Sequence, residues 1–124
     1  MSYGKIRANF IEHNSAGSVN TEYVINGTAK QWARTNASGT AIKDSHNTSS
    51  LTDNGTGDQT ITMTNAMGNI FYSVSIGNHS QNACELFLRS SATATTTTVF
   101  RTGAYTDTAY SDCVIGTSVQ GDLA

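Results

Sequence analysis

The residues able to do chemistry are few and widely spaced. Histidine occurs at His13, His46 and His79, each in a polar, turn-like setting, and no pair has HxH or HxxxH spacing. Zinc sites draw ligands from closely spaced positions on one element, so these histidines predict no metal centre. Asp44-Ser45-His46 holds the residue types of a hydrolytic triad. Neighbouring side chains on a strand point to opposite faces, however, and the three cannot relay a proton among themselves. Glu85, Asp107 and Asp112 would form a carboxylate pair for glycoside hydrolysis only if folding joined two of them, and their spacing does not require it. Counted as an EF-type calcium loop from Asp53, the run Asp53-Asn54-Gly55-Thr56-Gly57-Asp58 places Asp58 where glycine is needed and Thr64 where glutamate is needed. A turn whose Asp and Asn side chains bond their own backbone explains that composition. No catalytic residue, metal or cofactor is therefore expected.

Cys84 and Cys113 belong to apolar-flanked runs outside any CxxC or Cys-His spacing. They read as buried free thiols, with a disulfide between neighbouring strands as the alternative.

Such residues would be positioned by short strands. From Val24 to Met67, apolar residues alternate between Asn-Gly, Ser-Gly and Asp-Asn-Gly-Thr-Gly-Asp clusters, the pattern of an antiparallel meander. Gln59 to Thr64 alternates most clearly, with Ile61 and Met63 on one face and threonines on the other. Thr21 to Asn26 reads as a strand ending in a type I′ turn at Asn26-Gly27, with Thr28 to Arg34 pairing back against it. Ala41 to Asp44 is another strand, and Ile70 to Ile76 is expected as a central one, with Ile70, Tyr72, Val74 and Ile76 sharing a face opposite Phe71. Ala83 to Arg89 and the threonine-rich run from Ser90 to Arg101 extend the set, and Ser111 to Gln120 closes it, with Cys113, Ile115 and Thr117 on one face. Helical periodicity is missing over any ten-residue window. Proline is absent too, as suits a chain whose backbone donors enter sheet ladders. The predicted fold is all-β, a single antiparallel β-sandwich of meander or jelly-roll-like type.

Residues 1–20 are expected to form an N-terminal strand and attachment arm, and residues 21–124 the sandwich. In the arm, Lys5 to Ile11 would be a two-sided strand, with Glu12 to Ser18 a polar loop after it. The only tryptophan, Trp32, reads as a core or subunit-interface aromatic, with a sugar-stacking platform as the competing reading.

The net charge of −2 and the 13% of charged residues leave no basic stripe for nucleic acid or anionic membrane. No apolar run reaches the roughly 20 residues that a spanning helix needs. The first five residues lack the apolar stretch of a signal peptide, so synthesis in the cytoplasm is expected. Serine, threonine and asparagine make up roughly a third of the chain, and large apolar side chains are sparse. Limited apolar surface must offset an ordering entropy of roughly 1–2 kcal/mol per residue, which favours an oligomer whose copies cover one another.

Three fragments, Asn26-Gly27-Thr28-Ala29-Lys30-Gln31-Trp32, Ile42-Lys43-Asp44-Ser45-His46-Asn47 and Ser50-Leu51-Thr52-Asp53-Asn54-Gly55-Thr56-Gly57-Asp58, occur in that order. With the ending Val119-Gln120-Gly121-Asp122-Leu123-Ala124, they resemble a β module of tail fibre and related appendage proteins of tailed bacteriophages, many of them marine. The resemblance implies a virion location, a homotrimer and an N-terminal segment that joins other virion proteins. Residues 78 to 106 lie outside the resembled pattern, and host-binding specificity is expected there. Asn78, His79, Tyr105 and Tyr110 are the candidate contacts for a host surface glycan or protein, since tyrosine and asparagine combine stacking area with adaptable hydrogen bonding. A capsid decoration, head fibre or tail adaptor without a receptor-binding role is the alternative, and an enzyme is not expected.

Overall fold

The computed structural model describes residues 4, 6–79, 83–89 and 95–124. Parts of the expected arm strand and of the threonine-rich run, residues 5 and 90–94, lie outside these, as do residues 80–82 of the loop after Asn78.

The chain opens with a hairpin of β1 (Phe10–His13) and β2 (Gly17–Asn20), turning at Gly17, whose φ is +88°. Ile6 to Asn9 lie outside any strand, so the two-sided strand read over Lys5 to Ile11 is displaced toward the former polar loop. The expected strand over Thr21 to Asn26 is instead a short helix, α1 (Thr21–Gly27). Asn20 caps it by accepting from the Glu22 amide at 2.9 Å, and at the other end the Thr28 hydroxyl and amide both donate to the Val24 carbonyl. Asn26-Gly27 thus ends a helix and is not a hairpin turn. Seven residues are too few for apolar periodicity to show, and the cap alone carries the signal.

Eight further strands form the sandwich. They are β3 (Gln31–Thr35), β4 (Ile42–His46), β5 (Thr48–Gly55), β6 (Asp58–Met63), β7 (Ser73–Asn78), β8 (Glu85–Leu88), β9 (Val99–Tyr105) and β10 (Ile115–Gln120). One antiparallel sheet has the order β4-β3-β10-β7 and the other β5-β6-β9-β8. All-β architecture in antiparallel sheets is thus as expected. Consecutive strands pair within the sandwich only at β3–β4, β5–β6 and β8–β9; elsewhere the chain crosses between sheets, so it is not one continuous meander. β7 begins three residues later than predicted, after an Asn69 side chain bonds the Phe71 amide, and it is an edge strand because β10 returns to the middle of that sheet.

At the crossing from β4 to β5 a single residue, Asn47, turns the corner with φ +52°. Its side chain donates to the Lys30 carbonyl and accepts from the Asn65 amide at 2.7 Å, tying the corner to both neighbouring segments. Asparagine tolerates this left-handed conformation better than other chiral residues.

The inward faces meet in two apolar clusters. Ile61, Met63, Met67, Phe100 and Val119 form one, flanked by Leu51, Tyr72 and Val74; Ala104, Cys113 and Ile115 form the other, flanked by Ile76, Cys84 and Leu86. The alternation read in β6 and β10 is the alternation observed. Between the apolar positions run buried polar residues, and most are bonded. Gln31 reaches Thr48 and Thr117, Thr35 accepts from the Ile115 amide, and the Tyr72 hydroxyl lies 2.8 Å from the carbonyls of Thr96 and Val99. Burial pushes the Tyr72 phenol up to about 12.

Cys84, before β8, and Cys113, before β10, form a disulfide, so the reading as free thiols is corrected. Each cysteine precedes a strand of a different sheet, and the bond fastens one end of the sandwich. That juxtaposition depends on the two crossings that follow β7 and β9 and has no local signal.

Candidate functional site

The four predicted contact residues gather around this disulfide, in two pairs on different sheets. On one side Asn78 ends β7, its amide 3.5 Å from the Cys84 carbonyl, and the His79 amide donates to the Val114 carbonyl, next to Cys113. On the other, Tyr105 ends β9 opposite Glu85, and the β9–β10 connection folds Tyr110 back onto it.

The Tyr110 side is built on the outer face of β8, β9 and β6. Tyr105 and Tyr110 meet edge to face with centroids 5.3 Å apart, and Phe87 lies 6.4 Å from Tyr110. Phe87 lies over Gly103, its cross-strand partner, where a Cβ would stand 2.3 Å from the ring. The Arg89 guanidinium sits 4.7 Å from the Tyr110 centroid and 5.9 Å from that of Phe87. Beneath it Asp58 is buried and accepts a two-pronged bond from Arg101, with Nε to Oδ1 at 2.6 Å, while Arg89 Nε is 3.3 Å from Oδ2. The bonded Arg101 holds the Asp58 carboxyl below its usual range. Both guanidinium groups are engaged with this carboxylate, so the cluster pins β6, β8 and β9 together and leaves Tyr110 and Phe87 as half-exposed rings.

The His79 side is a groove of about 440 Å³ on the outer face of the opposite sheet. Four small residues form its floor as two cross-strand pairs, Gly116 with Gly77 and Ser118 with Ser75. β3 supplies one wall, Trp32 opposite Ser118 and Arg34 opposite Gly116. The His79 ring lies over the glycines, with Nε2 2.6 Å from where a Gly116 Cβ would stand and 3.9 Å from the equivalent point on Gly77. Trp32 is 40% exposed and lies outside both apolar clusters, which corrects its reading as a core aromatic. Among the described residues neither the Arg34 guanidinium nor the His79 ring has a hydrogen bond or ion pair. Asp44 pairs with Arg34 across β4, and its carboxylate accepts from the Ser45 amide at 2.9 Å.

Sequence reasoning missed Arg34 and the small-residue floor. Arg34 was within reach, since it stands two residues from Trp32 and so shares its face. Gly77 and Gly116 become neighbours only through strand pairing.

The triad-type residues do not share one face. Asp44 and His46 face outward while Ser45 is turned toward Ala33, as alternation requires. Asp112 accepts from the Gly57 amide at 2.7 Å and braces the β5–β6 turn, where Asp53 accepts from Gly55. Among the described residues no three His, Cys, Asp or Glu side chains are close enough to hold a metal ion, and no helix is long and apolar enough to cross a membrane. No family model, curated protein or solved structure matches this chain.

Proposed function

We propose that this chain is a bacteriophage virion structural protein, a tail fibre or appendage module for attachment to a host surface, without enzymatic activity. One observation carries the reading. The inward faces of the sandwich bury two apolar clusters, whereas the N-terminal unit, residues 6–27, buries none of its apolar side chains. A module that stands on a larger assembly needs such a division, with one part folded by itself and the other completed by its neighbours. Ile6, Phe10, Ile11, Val19, Tyr23 and Ile25 are exposed apolar side chains of that unit, and in this reading they meet other virion proteins or the arms of a homotrimer. The sandwich then projects outward, with Asn78, His79, Tyr105 and Tyr110 at its disulfide end.

Antibody labelling of purified virions tests the proposal. Label at the tail tip is the expected result. Label on the capsid would replace attachment with decoration, and virions without the protein would overturn both. Light scattering of the purified chain should give a trimer mass that persists on dilution.

A further inference from the structure

We propose that the groove between Trp32, Arg34 and His79 binds a saccharide unit that carries an anionic group. The inference rests on the attachment reading for its biological sense but on the groove alone for its chemistry. Sheet faces covered by long side chains are too uneven to seat a ring; here Ser75 and Ser118 leave a low floor beside Trp32, and the His79 ring, seated over Gly77 and Gly116, closes its far end. An indole 40% exposed at the rim offers a flat apolar surface to the C–H face of a pyranose. The two serine hydroxyls and the His79 ring supply adaptable donors and acceptors for sugar hydroxyls.

Charge selects among saccharides. Among the described residues Arg34 and His79 are the only ionisable groups that line the groove, and no carboxylate does. The guanidinium has no partner among the described residues, and its planar fork matches a carboxylate or a sulfate. Asp44 on the neighbouring strand reduces the local positive charge without occupying that fork, because its carboxylate turns to the Ser45 amide. A ring stacked on Trp32 with its anionic group toward Arg34 therefore satisfies both walls at once. A neutral sugar satisfies one.

The test is titration of the full chain with sodium D-glucuronate, D-glucose 6-sulfate and D-glucose. Two signals are followed, the fluorescence of the single tryptophan and the amide resonances of Gly77 and Gly116. Saturable changes at about millimolar dissociation constants are expected for at least one anionic sugar, with glucose at least tenfold weaker. Whichever anion binds distinguishes a carboxylate from a sulfate ligand. Arg34→Gln should weaken the anionic sugar about tenfold and bring it level with glucose, whereas Thr52→Ala, on β5 of the opposite sheet, should change nothing. Both replaced side chains are solvent-accessible, and unchanged melting confirms that each variant folds.

Equal binding of all three sugars, an indifferent Arg34→Gln variant, or shifts absent from Gly77 and Gly116 would each overturn the proposal. Failure here with tail-tip labelling intact removes the groove and leaves attachment standing. Sugar binding without virion labelling does the reverse.

Discussion

The N-terminal unit and the inward faces of the sandwich contain the same kinds of apolar residue and treat them in opposite ways. In the sandwich Phe100 and Ile61 are each 1% exposed; in the unit Phe10 is 61% and Ile25 62% exposed. Neither difference follows from hydrophobicity. β6 and β9 sit inside a four-stranded sheet with a second sheet against them, so each inward side chain has partners on every side. β1 and β2 form a two-stranded ribbon beside a seven-residue helix, and an isolated hairpin of that size is marginal in water. Apolar content therefore does not locate a core. The number of layers an element can join does.

The largest effect that would break this contrast comes from the core. Phe100→Ala should cost about 3–5 kcal/mol in urea or thermal unfolding, the range for a buried aromatic, and a loss below about 1 kcal/mol would mean that the sandwich is looser than its burial implies. Next is the disulfide. Replacing Cys84 and Cys113 together with alanine, or reducing the bond, should lower stability by about 2–4 kcal/mol, as expected for a cross-link closing a loop of this length.

Third is the buried carboxylate. Asp58→Asn should cost about 1.5–3 kcal/mol at neutral pH, since the bonds it removes are charge-assisted. The pH dependence has a definite sign. Arg101 depresses the folded pKa of Asp58, so its stabilisation is complete above the ordinary carboxyl value and disappears as pH falls through the lower folded value. Wild type should therefore lose stability on that acid limb, and the variant should show a flatter one. At the other extreme, Tyr72 stabilises the fold up to its ordinary value near 10, and that contribution is lost as pH rises toward 12.

The smallest change is expected in the N-terminal unit. Phe10→Ser and Ile25→Ser should alter the unfolding of the isolated chain by no more than about 0.5 kcal/mol, as surface substitutions do, while weakening self-association or attachment to virion proteins. A larger loss of stability in a monomer would mean that the unit packs on the sandwich.

The same contrast explains what could be read from the residues. Ile61 and Met63, and Ile115, Thr117 and Val119, announce their inward face because alternation is a local property of a strand between two layers. The Asp53 turn is equally local, its side chain bonding an amide two residues away. α1 was lost because Asn20 and Glu22 carry its only signal and Asn26-Gly27 suits a helix end as well as a hairpin. The Cys84–Cys113 bond, the edge position of β7 and the glycine floor beneath His79 all depend on which distant strand comes to lie alongside. Four candidate contacts came to one end of the sandwich, yet their division into a pinned aromatic cluster and an open groove rests on Arg89, Asp58 and Arg34. None of these three is a candidate contact by residue type and spacing alone.

β10 leaves the ribosome after β1 to β9, and it is also the piece that joins β3 to β7. Until it emerges, β3–β4 and β7 have no shared sheet, and their inward residues face an unfinished opposite layer. The sandwich is thus completed only once translation has passed Gln120, and a chain halted before β10 would present exposed strand edges in place of a folded domain. Chains that stop short of β10 are material for proteolysis and not for assembly.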